Sequence, residues 1–464
     1  MFTKDIYIER RNKLRQQIKH GIAVFLTNNE APMNYPSNTY RYRQDSNFIY
    51  FFGLQMPGMV GVIDFDEDKD FIFGDDFTID DIIWMGNQPT IGELAARCGI
   101  THVQGMDKLA AYISQVQKSG RKVHFLPPYR ADNKIFLSLL TGISIENIPA
   151  QVSTELIKAI VALRAIKGEE EIQEMDKICD IGVMMHTAVM KGCRIGKTER
   201  ELAGIAEGIS LSYGNGYSFP VILSQDGQTL HNHNHEQILT DGRLLLTDMG
   251  AESTSGYSSD YTRTIPVNGK FSQKQKEIYE IVLKANMESI KTAKPDIPYW
   301  NIHLNATTII TEGLTQLGLM KGDYKAAAQE GAHALFMPHG LGHMLGLDVH
   351  DMEDLGENFV GYDEQTQRSN IFGHASLRCG RKLQKGFIVT VEPGIYFIPQ
   401  LIDIWEREQK FAQYINYSKV REYLNFGGIR IEDDILITDN DCRVLGQPLA
   451  KSVAEIETLM QENH

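Results

Sequence analysis

Arg243-Leu-Leu-Leu-Thr-Asp-Met-Gly250 and Ser259-Asp-Tyr-Thr-Arg-Thr264 are the stretches that decide the fold. The first is an apolar run that ends in an aspartate, and the turn residues after Gly256 lead into the second. This pattern predicts an antiparallel hairpin that brings Asp248 and Asp260 face to face. Two unpaired carboxylates would repel each other there. Taken singly, Asp248 could simply end a strand and Asp260 could cap a turn.

The rest of the chain shows two kinds of sequence pattern. Short strand-like runs occupy the first third, whereas long amphipathic helical patterns begin near residue 160 and alternate with strand-like runs. Without a repeat or a low-complexity linker, this predicts an α/β (α+β) protein with one domain over 1–160 and a second over 161–464. The strand predictions are Gly21–Leu26, Asn47–Phe52, Met59–Ile63, Phe71–Phe73, Leu244–Leu246, Ile388–Val391 and Arg430–Ile437.

Charge and composition exclude several classes of protein. The 464 residues carry 46 Lys+Arg against 60 Asp+Glu, a net charge of −14, and no basic cluster. Nucleic-acid and anionic-membrane binding depend on clustered cations, so neither partner is expected. The five cysteines never occur as C-x-x-C, which favours a reducing compartment. No stretch approaches ~20 apolar residues, so the sequence predicts a soluble cytoplasmic protein.

A glycine-rich segment contains the histidine of greatest interest. His339-Gly-Leu-Gly-His343 is followed by His350, and its glycines leave the backbone free to approach a ligand. Gly340 excludes a zincin motif, which needs glutamate at that position. A single histidine could equally be a hydrogen-bonded core or surface ring.

Two glutamates stand where strands end. Glu392 follows Ile388–Val391 and precedes Pro393-Gly394, and a buried glutamate without a partner is costly. Glu432 shares a strand face with Arg430, which predicts a charge-assisted hydrogen bond between them, as an exposed ion pair or as the support of a metal ligand.

Together these residues predict a metal centre. Asp248, Asp260, Glu392 and Glu432 sum to −4, which two divalent ions would balance, and His343 adds one imidazole. An oxygen-rich set with one imidazole favours Mn²⁺, with Co²⁺ and Zn²⁺ as alternatives.

The motifs occur in the order seen in proline-specific metallopeptidases, and the chain resembles Xaa-Pro aminopeptidase and prolidase over nearly its whole length. The resemblance implies a creatinase-like N-terminal domain and a pita-bread catalytic domain. It also implies that the five residues above are the ligands of a dinuclear metal site. Manganese is the usual activating ion in that family. The motifs are Thr247-Asp-Met-Gly250, Ser259-Asp-Tyr-Thr-Arg-Thr264, His339-Gly-Leu-Gly-His343, Val391-Glu-Pro-Gly394, Gly428-Ile-Arg-Ile-Glu432 and, in the first domain, Tyr42-Arg-Gln-Asp-Ser46.

The resemblance also suggests roles for single residues. Glu392 would be the general base, His339 and His350 would stabilise the oxyanion, and His231 would line the site. The loop between the two aspartates is one residue longer than in many relatives, and the extra residue is expected in the turn around Glu252 to Ser255, since within the strands it would turn one carboxylate away.

Substrate length stays open between two activities. An aminopeptidase acting on peptides with proline second needs room beyond the proline, whereas a prolidase needs a cation for the proline carboxylate, a role that suits Arg378. A noncatalytic pita-bread binding module is a third reading, which the complete ligand set opposes. A homodimer is expected by analogy with relatives.

Overall fold

The computed structural model describes residues 1–461, which form two compact units. The N-terminal unit comprises Met1–Arg164 together with Glu353–Phe359, and the C-terminal unit comprises Ala165–Met352 and the chain from Val360 on. The domain boundary expected near residue 160 stays a prediction. Among the described residues, no helix combines the length and the apolar character that crossing a membrane requires.

A five-stranded mixed sheet forms the core of the N-terminal unit, in the order β6-β5-β4-β1-β7. Alternate residues of its strands, such as Val24 and Val62, are buried against helix α5. The strands are β1 (Ile22–Leu26), β2 (Pro32–Tyr35), β3 (Asn38–Thr39), β4 (Val60–Asp64), β5 (Lys69–Phe73), β6 (His102–Gln104) and β7 (Val123–His124), and the helices are α1 (Lys4–Gln17), α2 (Ser46–Phe52), α3 (Ile79–Met85), α4 (Ile91–Arg97), α5 (Leu109–Lys118), α6 (Ala131–Thr141) and α7 (Thr154–Arg164).

The strand predicted over Asn47–Phe52 is wrong, because these residues belong to helix α2. Asp45 caps the helix by accepting a hydrogen bond from the Phe48 amide, and Gly53 ends it with a φ of 67°. Every residue of the helix is buried. A helix that is apolar on all sides loses its period of 3.6, so its sequence imitates that of a buried strand.

The C-terminal unit is built from antiparallel strands and long helices. Its helices are α8 (Glu169–Gly192), α9 (Glu199–Tyr213), α10 (Gln273–Thr292), α11 (Tyr299–Gln316), α12 (Tyr324–Glu330), α13 (Glu357–Val360, which begins in the N-terminal unit), α14 (Pro399–Arg407), α15 (Tyr417–Val420) and α16 (Val453–Gln461). Its strands are β8 (Ile222–Ser224), β9 (Leu244–Met249), β10 (Tyr261–Pro266), β11 (Ile388–Val391), β12 (Gly394–Tyr396), β13 (Gly428–Arg430), β14 (Asp433–Ile437) and β15 (Cys442–Val444).

The predicted hairpin is present as β9 and β10. Asp248 pairs with Thr262, and the same register continues to a bridge between Glu252 and Ser258. Because the register is unbroken, Asp260 lies two residues from Thr262 on the face that also carries Asp248. The turn therefore occupies 253–257, where the Ser253 amide donates to the carbonyl of Tyr257.

The strand predicted over Arg430–Ile437 is interrupted, and the interruption brings Glu432 to the hairpin. Strand β13 pairs with β12, whereas β14 pairs with β11, so the chain changes partners between them. At the change, the Glu432 amide donates to the carbonyl of Thr262 at 3.0 Å. A period-2 pattern does not show such a change, because the alternation of side chains continues through it.

Candidate metal centre

Asp248 and Asp260 leave the hairpin on one face with their carboxylates largely buried. Asp248 is 8% exposed and Asp260 is 5% exposed. In each carboxylate the Oδ1 atom is buried and has no hydrogen-bond partner among the described residues. Buried carboxylate oxygens are rarely left in this state, so the two atoms indicate a place for a cation.

His343 aims one ring nitrogen at the carboxylates. Its Nδ1 lies 3.0 Å from the Met344 carbonyl, an acceptor, so Nδ1 carries the proton and Nε2 carries a lone pair. Nε2 lies 3.4 Å from Oδ2 of Asp260 and 3.6 Å from Oε1 of Glu392. A lone pair facing carboxylate oxygens is the arrangement that a shared metal ion resolves.

Glu392 and Glu432 complete the cluster from positions just after strands β11 and β13. Glu392 follows β11, which is tied to the histidine segment because the Glu392 amide donates to the Leu341 carbonyl. Oε2 of Glu432 accepts a 2.6 Å hydrogen bond from the Thr262 hydroxyl. One ligand atom each from Asp260, His343 and Glu432 lie within 4.8 Å of one another.

Burial and mutual repulsion change the acidity of the cluster. Burial is the largest cause that raises the pKa of Asp260 and of Glu432 well above the ordinary carboxyl value, and neighbouring carboxylates raise both further. Burial also raises the pKa of Glu392, and the charge of Arg430 acts in the opposite direction. Asp248 contributes repulsion to all three of these carboxyls, which places it within the same cluster.

The donor set fits hard to borderline divalent ions. Four carboxylates and one imidazole converge in a buried site, and two carboxylate oxygens there are unpartnered. Oxygen-rich sites with a single imidazole suit Mn²⁺, Co²⁺ or Zn²⁺ better than thiolate-seeking ions. The five free cysteines Cys98, Cys179, Cys193, Cys379 and Cys442 supply no thiolate to it.

Arg430 supports the cluster at a different carboxylate from the one predicted. Its Nη2 donates to Oδ2 of Asp248 at 2.6 Å, not to Glu432. Its Nε donates to the Thr262 hydroxyl, which in turn donates to Glu432. The prediction of a direct bond between the two strand neighbours is wrong because Thr262, from β10, stands between them.

His339 lies beside Glu392 but is held by other groups. Its Nδ1 donates to the Gly340 carbonyl at 2.7 Å and is 3.8 Å from Oε2 of Glu392. Its Nε2 therefore accepts from the Tyr396 hydroxyl at 2.9 Å, and that hydroxyl accepts from Nη1 of Arg430 at 2.8 Å. Burial lowers the pKa of His339 to about 3, so the ring is neutral at neutral pH.

His350, His231 and Arg378 surround the cluster. The rings of His343 and His350 are 4.3 Å apart at their centroids. Burial lowers the pKa of His350 to about 2. His231 keeps exposed surface, but partial burial of its ring still lowers its pKa, whereas the charge of Asp248 raises it. The charge of Arg378 lowers the pKa of Glu392 and of both histidines, which places this half-buried residue near all three.

Three supporting residues were not predicted from the sequence. Thr262 joins Arg430 to Glu432, and Tyr396 joins Arg430 to His339. The Thr390 hydroxyl accepts from the His343 amide. Each has a hydroxyl on a strand, either opposite a ligand or within four residues of one, and this signal is too frequent in strands to identify them in advance.

Comparisons with known proteins agree with this geometry. Residues 173–439 match the model described as Metallopeptidase family M24, and residues 7–124 match that of the Aminopeptidase P, N-terminal domain. The chain is 32% identical over 454 residues to Xaa-Pro dipeptidase of Rattus norvegicus, covering 96% of this chain and 89% of the relative. A structure of Zn-substituted E. coli aminopeptidase P in complex with product has a TM-score of 0.83 and 28% identity, covering 100% of this chain and 99% of that one. Another, with the inhibitor Pro-Leu, has a TM-score of 0.81 and 28% identity, covering 99% and 98%. The carboxylates and the histidine that converge on the hairpin thus lie in the part of the chain that the family model matches, and the chain belongs to metallopeptidase family M24.

Proposed function

We propose that the protein is an Xaa-Pro aminopeptidase, which hydrolyses the bond before a proline at the second position of a peptide with a free N-terminus. The observation that carries this proposal is the convergence of four carboxylates and His343 around two unpartnered buried oxygens. The names of the rat and E. coli relatives support proline specificity.

Membership of a metallopeptidase family implies divalent metal ions, and the cluster has the donors to hold them. We assign as ligands Asp248, Asp260, His343, Glu392 and Glu432. The positive charge of Arg430 reduces the negative charge of the cluster from −4 to −3, so charge alone no longer fixes the number of ions. Six carboxylate oxygens remain outside the hydrogen bonds from Arg430 to Asp248 and from Thr262 to Glu432, and with one nitrogen they still exceed the six positions of one octahedral ion, which favours two ions, with Mn²⁺ as the activating metal.

Glu392 is the proposed general base. Its side chain is 19% exposed, more than the other carboxylates of the cluster, so substrate and water can reach it. Burial raises its pKa, which makes it a better proton acceptor than an exposed glutamate once ionised. It would take the proton of the attacking water and return it to the proline nitrogen as the peptide bond breaks. Divalent ions held by these residues would supply Lewis acidity, which would polarise the carbonyl and lower the pKa of water.

We assign the histidines to stabilising the oxyanion and to lining the substrate site. His350 is neutral at neutral pH, so it keeps one ring N–H to donate to the oxyanion. The Nδ1–H of His339 lies between the Gly340 carbonyl and Glu392, so it can turn toward the oxyanion only by leaving the carbonyl. His231, at the exposed side, is assigned to the lining of the substrate site.

A prolidase, acting on Xaa-Pro dipeptides, is the second candidate, and Arg378 favours it. The charge of Arg378 acts on Glu392, His231 and His350, so the guanidinium lies close to the place where substrate would bind. A planar fork of N–H donors matches a terminal carboxylate. In a dipeptide that carboxylate belongs to the proline itself.

Peptide hydrolysis with added Mn²⁺ tests both activities. Ala-Pro and Ala-Pro-Ala are compared, first with chelator and then with Mn²⁺, in the wild type and in Arg378→Ala. An aminopeptidase cleaves the tripeptide with both proteins. A prolidase prefers the dipeptide and loses this preference in the variant, whereas a dipeptide preference that survives the substitution would remove Arg378 from carboxylate binding.

Metal analysis separates an enzyme from a binding module. We expect about two ions per chain and loss of ~10²- to 10⁴-fold in kcat for Glu392→Gln, the range that a general base contributes. A purified chain that cleaves these peptides with no metal bound would contradict the proposed chemistry. We also propose that the protein is a homodimer, which light scattering would test. Its proposed location is the cytoplasm.

A further inference from the structure

Three histidines far apart in the sequence meet in the C-terminal unit, outside the carboxylate cluster. His303 lies in the first turns of α11, His333 in a 3-10 helix (Ala332–Leu335) and His374 in another (His374–Ser376). His303 and His333 have no solvent exposure, and His374 is 1% exposed. One ring nitrogen from each lies within 4.8 Å of the other two.

The hydrogen bonds of these rings leave several nitrogens unused. Nε2 of His374 donates to the Ala328 carbonyl at 2.9 Å, so its Nδ1 carries a lone pair. Nε2 of His303 lies 2.9 Å from this Nδ1. Nδ1 of His303 and both nitrogens of His333 have no hydrogen bond of ordinary geometry among the described residues, although Ala328 lies near His333. Buried nitrogens without partners require an explanation such as an ion or an ordered water.

The rings are also in the charge state that a metal ion needs. Burial lowers the pKa of His333 to about 3 and lowers the pKa of His303 and His374 as well. All three are therefore neutral at neutral pH, and each has one lone pair. Nε2 of His303 donates to Nδ1 of His374, so it can bind an ion only when its proton moves to Nδ1 of His303, which has no hydrogen-bond partner among the described residues.

We propose that His303, His333 and His374 bind one borderline transition-metal ion, for which Zn²⁺ is the probe. Imidazole nitrogens suit such ions, and three protein ligands with a fourth from solvent is a common zinc arrangement. Two nitrogens ~2.0 to 2.1 Å from a tetrahedral ion are about 3.3 Å apart, so the 2.9 Å between His303 and His374 has to widen by a few tenths of an ångström.

The site would differ from the carboxylate cluster in both chemistry and role. It offers nitrogen donors alone, whereas the other site is dominated by carboxylate oxygens, which suit harder ions. His333 is six residues before His339, and His374 is four residues before Arg378. An ion bound by the three histidines would tie helix α11 to the two segments that carry these residues of the proposed substrate site.

Zinc counting on the full-length protein tests the proposal. Asp260→Asn weakens the carboxylate cluster by removing one of its five proposed ligands, and the change in retained Zn²⁺ that His333→Gln causes in this background reports on the histidines. We expect about one Zn²⁺ per chain fewer after dialysis when His333→Gln is added to Asp260→Asn. His124→Gln, which changes a buried histidine of the N-terminal unit, is the matched control and keeps the ion.

Tryptophan fluorescence gives a second readout. The ring centroid of Trp300 is 5.1 Å from that of His374 and 5.7 Å from that of His303, so paramagnetic Co²⁺ at the site would quench its emission. We expect quenching in Asp260→Asn and its loss with His333→Gln, or with His303→Gln if the first variant does not fold. No retained Zn²⁺ in folded Asp260→Asn, or the same amount with and without His333, would overturn the proposal and leave a hydrogen-bonded histidine cluster.

Discussion

Arg430 and Asp248 form a buried ion pair in which Nη2 and Oδ2 are 2.6 Å apart. The same guanidinium donates to Thr262 and to Tyr396, so its three contacts fix it in one orientation. The pair engages one oxygen of Asp248, and the other oxygen, Oδ1, has no partner among the described residues. Arg430 therefore orients a carboxylate toward the cluster without occupying the atom that would bind a metal ion.

Replacing Arg430 with lysine should weaken metal binding while the charge is kept. An ammonium group cannot make three contacts in the directions of a planar fork. We expect the affinity for Mn²⁺ to fall ~10- to 100-fold, as for other residues that orient metal ligands, in a titration followed by calorimetry. Arg421→Lys, at an exposed pair with Asp403, is the control and should bind Mn²⁺ like the wild type. Equal affinities in the two variants would mean that the pair does not orient Asp248.

Tyr396→Phe should affect both stability and catalysis. Removal of the hydroxyl leaves a buried N–H of Arg430 without its acceptor, which is expected to cost ~1 to 3 kcal/mol in the free energy of unfolding. It also removes the donor to Nε2 of His339, so that ring can rotate or change tautomer and kcat should fall. Urea unfolding and peptide hydrolysis measure the two effects.

Tyr414→Phe is the control for this change. The Tyr414 hydroxyl donates to Glu330 at the surface, so removing this hydroxyl should leave the free energy of unfolding and kcat within error of the wild type. If Tyr396→Phe unfolds like the wild type, Arg430 must find another acceptor when the hydroxyl is absent.

The sequence predicts the elements that carry the cluster because each ligand stands at a local signal. Asp248 and Glu392 follow apolar runs, and Asp260 follows a turn, so their positions depend on chain neighbours more than on distant contacts. The register that places the two aspartates on one face also follows from the paired strands and the position of the turn.

The errors and omissions arise where distant segments decide the structure. The partner of Arg430 is Asp248, 182 residues away, because Thr262 separates it from Glu432. Helix α2 was predicted as a strand because complete burial removes its periodicity. The meeting of His303, His333 and His374 has no counterpart in the sequence, since their separations match no motif and each lies among unrelated residues.

The buried pair of Lys167 and Asp351 gives a prediction about His350. Nζ and Oδ2 are 2.9 Å apart, and both side chains are 1% exposed. Removing one partner leaves the other charge buried, so Lys167→Met should lower the free energy of unfolding by ~3 to 5 kcal/mol. Because Asp351 follows His350 directly, the proposed oxyanion donor should move and kcat should fall.

A double-mutant cycle separates loss of the pair from loss of packing. Lys167→Met combined with Asp351→Leu replaces both charges with apolar groups, so its cost in urea unfolding should be smaller than the sum of the single changes. The exposed pair of Lys385 and Asp439 supplies a matched cycle, with an expected coupling of ~0.2 to 1 kcal/mol. Additive costs at Lys167 and Asp351 would show that solvent reaches the charges.

His186 predicts how the stability of the metal-free protein depends on pH. Its Nε2 lies 3.0 Å from the Tyr261 carbonyl and 3.2 Å from the Met249 carbonyl, and burial lowers its pKa from 6.5 to about 3. The folded state therefore holds a neutral ring where the unfolded state would bind a proton. The stabilisation is complete above pH 6.5 and is lost as the pH falls toward 3, by ~1.4 kcal/mol per pH unit once the pH is well below 6.5.

Urea unfolding at pH 7.5 and pH 5.5, with chelator present so that metal release adds no pH dependence, measures this contribution. His186→Gln is less stable at pH 7.5 because its side chain replaces a well-packed ring, but it should lose ~1.4 kcal/mol less than the wild type between the two pH values. His20→Gln, which changes a ring that is 90% exposed, should follow the wild type. If His186→Gln loses as much stability as the wild type on acidification, the ring is already protonated in the folded state or is reached by water, and burial does not hold it neutral.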